Sequence, residues 1–163
     1  MTTNKKFAWV WLIIRLYIGW EWLSAGWEKV TSPMWTGSNA GAPLSGFLKG
    51  ALAKAGGAHP DVQGWYAAFL QHAVLPHTLI WSHFVAYGEL LVGIGLILGF
   101  LTGVAAFFGA FMNFNYLLAG TVSTNPILLV LAIGLMLAWR TAGYLGLDRY
   151  LLSRIAKNQR QTT

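Results

Sequence analysis

The chain has no cysteine and only five acidic residues in 163. The first absence excludes disulfides, thiolate metal sites, CxxC redox chemistry and covalent c-type haem attachment within the chain. The second belongs to a wider shortage of charge. Only 10% of residues are charged and 56% are hydrophobic, against about 25% charged in an ordinary soluble domain. There is no Walker sequence, dinucleotide GxGxxG fingerprint, serine nucleophile elbow or HExxH pair, so soluble nucleotide-dependent or zinc-hydrolase chemistry lacks its usual carriers. Four histidines alone do not specify a metal, and no metal site is expected. The net charge of +6 does not indicate nucleic acid, because the basic residues gather at the two ends without an RNA-binding aromatic pattern.

What is present is a set of long apolar stretches, and the chain reads as a single integral-membrane domain over residues 1–163. Four crossings of about 20 residues each leave room for short ends and one large loop. The approximate spans are 7–30, 77–98, 101–120 and 125–143, giving an all-α, four-helix transmembrane bundle. The first span resembles a signal peptide at its start, but Arg15 divides its apolar core and no small-residue cleavage site follows, so an uncleaved helix is expected. Lys5 and Lys6 precede span one, and Arg140, Arg149, Arg154, Lys157 and Arg160 follow or close span four. The positive-inside rule then places both termini in the cytoplasm of a multi-pass cell-membrane protein.

Between spans one and two, residues 31–76 are too patterned for a bare linker. Leu44, Leu48, Ala51 and Ala55 fall at helical spacing, as do Val62, Tyr66, Phe69 and Ala73, and Gly56 and Gly57 separate the two stripes. An outer amphipathic helical loop follows from this, packed as a cover on the bundle or lying at the interface. Asp61 is placed to cap its second helix, and Asn125 or Thr124 to cap span four ahead of Pro126.

Ionisable groups in hydrocarbon are expensive and face an interior, a partner or a polar cavity. Three of the five acids, Glu21, Glu28 and Glu89, lie in or beside the spans. Glu28 and Lys29 sit near the outer end, where headgroup contact or interfacial pairing is expected. Glu89 falls near the middle of span two, and three roles stay open for it: a structural polar lock, a substrate or quinone contact, and proton movement. Arg15 is a candidate partner for Glu89 across the bundle. His77 and His83 carry the right chemistry to meet a quinone carbonyl, yet a spacing of six does not place two ligands on one helix face. Asn113 and Asn115 need partners in hydrocarbon or line a cavity, with Tyr116 offering a ring and a hydroxyl beside them. Gly19 and Gly26 let a neighbouring helix approach span one.

Arg15, Gly19, Gly26 and Lys29 within RLYIGWEWLSAGWEK, with GELLVGIGLILG, FMNFNYLLAGTVSTNP and LAWRTAGYLGLDRYLL, resemble the DoxX/DoxD family of membrane proteins, including proteins described as the large subunit of a thiosulfate dehydrogenase using quinone. The resemblance implies a membrane oxidoreductase subunit linking thiosulfate oxidation to quinone reduction, with a companion subunit, surrounding lipids, a bound quinone and no intrinsic cofactor. On that reading the catalytic candidates are Glu89, His83 and Arg15. Lys29, Asn113, Asn115 and Tyr116 contact substrate or quinone, and Gly19, Gly26 and Pro126 are structural. Arg15 or Lys29 would hold the anionic donor, and Glu89 or His83 would move protons. The alternative is a noncatalytic scaffold or small transporter. A sealed core with a paired Glu89 favours the scaffold; a membrane-open pocket lined by Glu89 and Asn113 favours quinone.

Overall fold

The computed structural model describes residues 7–151 and residue 153. Most of these residues are helical, and no strand occurs among them. Lys5, Lys6, Arg154, Lys157 and Arg160, on which the orientation of the termini mainly rests, lie outside the described residues.

Four helices carry the architecture: α1 (Ala8–Val30), α5 (Thr78–Leu98), α6 (Thr102–Leu118) and α7 (Asn125–Leu137). α1 packs most extensively on α5 and α6 on α7, while α5–α6 and α1–α7 contacts close the group. The α1–α5 pairing is close because glycines interlock. A Cβ on Gly26 would stand 2.6 Å from Leu90 Cα, and one on Gly93 would stand 2.5 Å from Leu23 Cα. A Cβ on Gly19 would stand 3.1 Å from the Ile97 nitrogen. Small residues at these crossings let backbones touch, which is how helices gain packing where the hydrophobic effect is weak. The core around this contact is Ile18, Trp22, Val92, Leu96, Ala106 and Leu135.

Outward, the helices are apolar. Ile13, Phe84, Leu91, Val130 and Leu137 are each more than half exposed, a surface suited to lipid rather than water. By length and composition one helical stretch, Gly64–Leu98, is long and apolar enough to cross a membrane, and Thr102–Leu118 and Asn125–Leu137 are shorter apolar helices. α7 stops at Leu137 because the backbone breaks at Ala138, and a short α8 (Trp139–Ala142) follows. Its 13 residues reach only about 20 Å, less than the unbroken helix through Gly143 that hydropathy suggests.

The segment after α1 folds over one end of the bundle as α2 (Pro33–Thr36), α3 (Ala42–Ala53) and α4 (Gly64–Phe69). Leu44, Leu48, Ala51, Val62, Tyr66 and Leu70 form a second core with Ala119, with Leu118 and Trp81 packed against it. Lys54 Nζ donates to the Gly120 carbonyl at 2.6 Å, tying the cover to the end of α6. α4 does not stop before α5. A π-helical turn at Leu70–Val74 and a 3-10 turn at Leu75–His77 carry it into the long helix, so Pro76, which cannot donate to the helical ladder, lies in a tightened turn.

Two expected caps are absent. Gln63 rather than Asp61 precedes α4 and makes no side-chain cap. Thr124 precedes α7 without a side-chain bond, and Asn125 Nδ2 donates backwards to the Thr121 carbonyl at 3.0 Å.

Candidate functional site

On α1, Gly26 and Lys29 are three residues apart and share one face. Since Gly26 rests on the Glu89–Leu90 backbone, the same contact delivers Lys29 to Glu89. Lys29 Nζ donates to Glu89 Oε2 at 2.6 Å, with the carboxylate side chain 3% exposed and the lysine 21%. On the other side, Tyr116 of α6 donates its hydroxyl proton to Glu89 Oε1, also at 2.6 Å. The carboxylate is therefore held between an ammonium and a phenol, one on each oxygen. Short charge-assisted bonds of this kind fix geometry as well as charge. Trp35 of α2 places its ring 5.3 Å from Lys29 Nζ, a cation–π contact on the lysine. Ser82, fully buried on α5, bonds the Trp35 carbonyl at 2.5 Å and keeps α2 in that position.

Tyr116 also lines a cavity of about 160 Å³ beneath the cover, between α3, α4 and the α5–α6 pair. Its walls are mostly apolar, including Phe47, Leu48, Phe69 and Trp81. The hydroxyl and amide groups among the lining side chains come from Tyr66, Asn115 and Tyr116. Tyr66 donates to Asn115 Oδ1 at 3.0 Å, and Asn115 Nδ2 donates to the Phe111 carbonyl at 2.8 Å. The edge of Phe47 meets the Tyr116 ring at 6.1 Å between centroids. An engineered apolar cavity of about 150 Å³ accepts benzene, so this space has room for one six-membered ring. A few polar groups converging in an apolar wall are the usual make-up of a ligand site.

The remaining candidates are dispersed. Arg15 is not Glu89's partner. It is buried, and its guanidinium donates to the carbonyls of Ala142 and Leu145, each at 2.9 Å. It lies about 21 Å along α1 from Lys29 at 1.5 Å per residue. Gly99 and Gly146 are small because the Arg15 guanidinium occupies the space a Cβ would need. His83 points elsewhere: its Nδ1 bonds the Leu79 carbonyl of its own helix at 2.8 Å and its ring stacks on Tyr87. Asn113 is fully buried with neither amide atom hydrogen-bonded, one turn from Gly109, whose Cβ would meet Trp22 Nε1 at 3.0 Å, and one turn from Tyr116. It does not line the cavity. Pro126 occupies the first turn of α7 and does not line the cavity. Glu28 is exposed and Glu21 half-buried.

The cavity is thus lined by Tyr116 and Asn115 rather than by Glu89 and Asn113, and Glu89 is paired as the scaffold reading expects, so what bears on a ligand is the open pocket that reaches Glu89 only through Tyr116. Sequence reasoning placed Tyr66 only in an apolar stripe and gave no role to Trp35 or Asp148. Asp148 accepts from the backbone N–H groups of Leu101 at 2.6 Å and Thr102 at 2.9 Å, capping α6 from a distant segment. No three His, Asp or Glu side chains gather to hold a metal among the described residues.

A family model described as "TQO small subunit DoxD" matches residues 10–163. The description is of a small subunit, where the sequence motifs suggested a large one. No curated protein and no solved structure gives a significant match.

Proposed function

The chain belongs to the DoxD family of membrane proteins, and from that membership we propose that it is the quinone-binding membrane subunit of a thiosulfate:quinone oxidoreductase. The observation that carries this reading is a single side chain with two duties. Tyr116 presents its ring to a cavity of one-ring size while its hydroxyl rests on a buried, lysine-paired carboxylate.

In this reading the quinone ring enters beneath α3 and α4. Reduction of a quinone to a quinol takes two electrons and two protons. The Tyr116 hydroxyl would give its proton to a quinone oxygen, and the phenolate left behind would be reprotonated through Glu89 by the Lys29 ammonium, which takes a proton from water at the partly exposed end of α1; two such cycles supply the two protons of one quinol. Proton transfer through positioned side chains contributes about 10²–10⁴-fold to rate. Tyr66 from the roof and Asn115 from α6 orient the ring.

The electrons come from thiosulfate, two ions of which release two electrons on joining through a new S–S bond. Arg15 is committed to two carbonyls and Lys29 to Glu89, so neither is a free cation for the donor, and the chain has no cysteine to carry sulfur. Thiosulfate is therefore assigned to a companion subunit. The topology that goes with this function has α1, α5, α6 and α7–α8 crossing the bilayer, both termini on the cytoplasmic side and the covered cavity at the outer end. The apolar outward faces of these helices support it.

The deciding experiment assays thiosulfate-dependent quinone reduction by the chain in nanodiscs, with and without its genomic-neighbour subunits, and measures quinone binding by the chain alone. Quinone binding without the partner and turnover with it are expected. Absence of both would leave a scaffold or transporter as the better description.

A further inference from the structure

We infer that the groove between α5 and α6 on the outward face of the bundle holds the isoprenoid tail of the quinone whose ring occupies the covered cavity; this rests on the quinone reading above. The groove measures about 820 Å³, and no charged, amide or hydroxyl-bearing residue lines it. It extends from Trp81 to Leu98 on α5, about 26 Å at 1.5 Å per residue, against a hydrocarbon thickness of about 30 Å.

Two observations tie this groove to the ring site rather than to lipid at large. First, Trp81, Val85, Phe111 and Met112 line both spaces, so cavity and groove adjoin across those four side chains. Second, the cavity of about 160 Å³ is filled by one ring, so a substituent chain on that ring has to leave it. The groove is the apolar space waiting at that wall. Gly88 lines it without a side chain, and a Cβ there would stand 3.5 Å from Met112 Sδ, in ordinary van der Waals contact. Met112 is the adaptable member of the shared wall, since an unbranched thioether changes rotamer at low cost. A change of its rotamer would join ring site and tail site into one.

The test uses the full chain in nanodiscs with three ligands: a tail-less tetramethylbenzoquinone, a benzoquinone with a long isoprenoid tail carrying a diazirine near its far end, and a phosphatidylcholine with the same diazirine in its acyl chain. The variant is Val104→Trp. Val104 lines the groove but not the cavity and is half exposed, so the bulkier side chain fills the groove without disturbing the core. Expected results are cross-links from the quinone tail concentrated on Leu98, Leu101 and Val104, displaced by unlabelled long-tail quinone. Val104→Trp should lower long-tail affinity at least about tenfold, about 1.4 kcal/mol, while leaving tail-less binding within about twofold. Tail cross-links spread evenly over the exposed faces of α1 and α7, matching those of the phospholipid probe, would overturn the inference with the ring site intact. Failure of the tail-less quinone to bind would instead remove the quinone reading, and the tail site with it.

Discussion

Gly26 and Leu90 meet backbone to backbone: a Cβ on the glycine would stand 2.6 Å from Leu90 Cα. This contact fixes the register of α1 against α5 and so determines that Lys29 reaches Glu89. Gly26→Ala is expected to push the helices apart, destabilise the protein by about 1–3 kcal/mol as overpacking does, and weaken quinone binding in parallel. Unfolding in mild detergent with added SDS measures the first effect. Full stability in the variant would mean that the helices are not locked at this point.

The ion pair itself is tested by a double-mutant cycle. Glu89→Gln leaves the Lys29 ammonium without its carboxylate, and Lys29→Met leaves Glu89, 3% exposed, without its cation. Each single change is expected to cost more than the pair of changes together, because removing one partner of a buried pair strands the other. A coupling energy of at least about 1 kcal/mol in detergent unfolding is the expected outcome; additive effects would show the pair to be energetically idle.

Tyr116→Phe separates ring from hydroxyl. The ring keeps its place beside Phe47, so quinone affinity should change by less than about threefold, under 0.7 kcal/mol, while the rate of quinone reduction falls by about 10²-fold. Equal loss of affinity and rate would reduce Tyr116 to a binding contact. Glu89→Gln should lower the rate through the same path, with the fold checked by circular dichroism.

The cavity's size predicts selectivity. With identical tails, a single-ring benzoquinone should bind more tightly than a fused-ring naphthoquinone, because about 160 Å³ is close to the volume that holds one benzene. Competition binding measures the ratio, and a preference for the fused ring would show that the cover opens well beyond the geometry seen here.

Arg15 belongs to a different structure at the other end of the bundle. Arg15→Met should leave the Ala142 and Leu145 carbonyls unpartnered and destabilise the chain by about 2–4 kcal/mol. It should speed hydrogen exchange around residues 141–151 and leave the quinone dissociation constant unchanged in the folded fraction. A selective loss of quinone affinity would return Arg15 to the ligand site.

Much of the helical organisation was legible because it is written in local periodicity. The apolar stripes of Leu44 to Ala55 and Val62 to Val74 run through α3, α4 and the turn after them. Glu89 stood out because a carboxylate so deep in an apolar run has to be answered by something. Which group answers it depends on register between helices, which no single helix encodes. Lys29, sixty positions away, looked interfacial until the glycine contact aligned it, and Arg15, equally displaced from a helix end, proved to face carbonyls. Tyr66 reaches Asn115 only because the cover folds back. Asp148 caps a helix that starts forty-six residues earlier, a relationship with no periodic signal. The expected caps at Asp61 and Asn125 failed for the opposite reason: good local chemistry was present, but α4 starts only at Gly64 behind Gln63, and the Asn125 amide turns back to the Thr121 carbonyl.

The uninterrupted helical path from Gly64 to Leu98 makes the roof of the cavity and the helix bearing Glu89 two arms of one lever. The π-helical turn at Leu70–Val74 and the 3-10 turn after it are its fulcrum. Tyr66 rides on one arm and Glu89 on the other, so the side chain that bonds Asn115 across the cavity and the carboxylate held by Lys29 and Tyr116 are positioned by one continuous helical element. On the function proposed above, the wall that meets the ring and the group that passes the proton would be built on that same element.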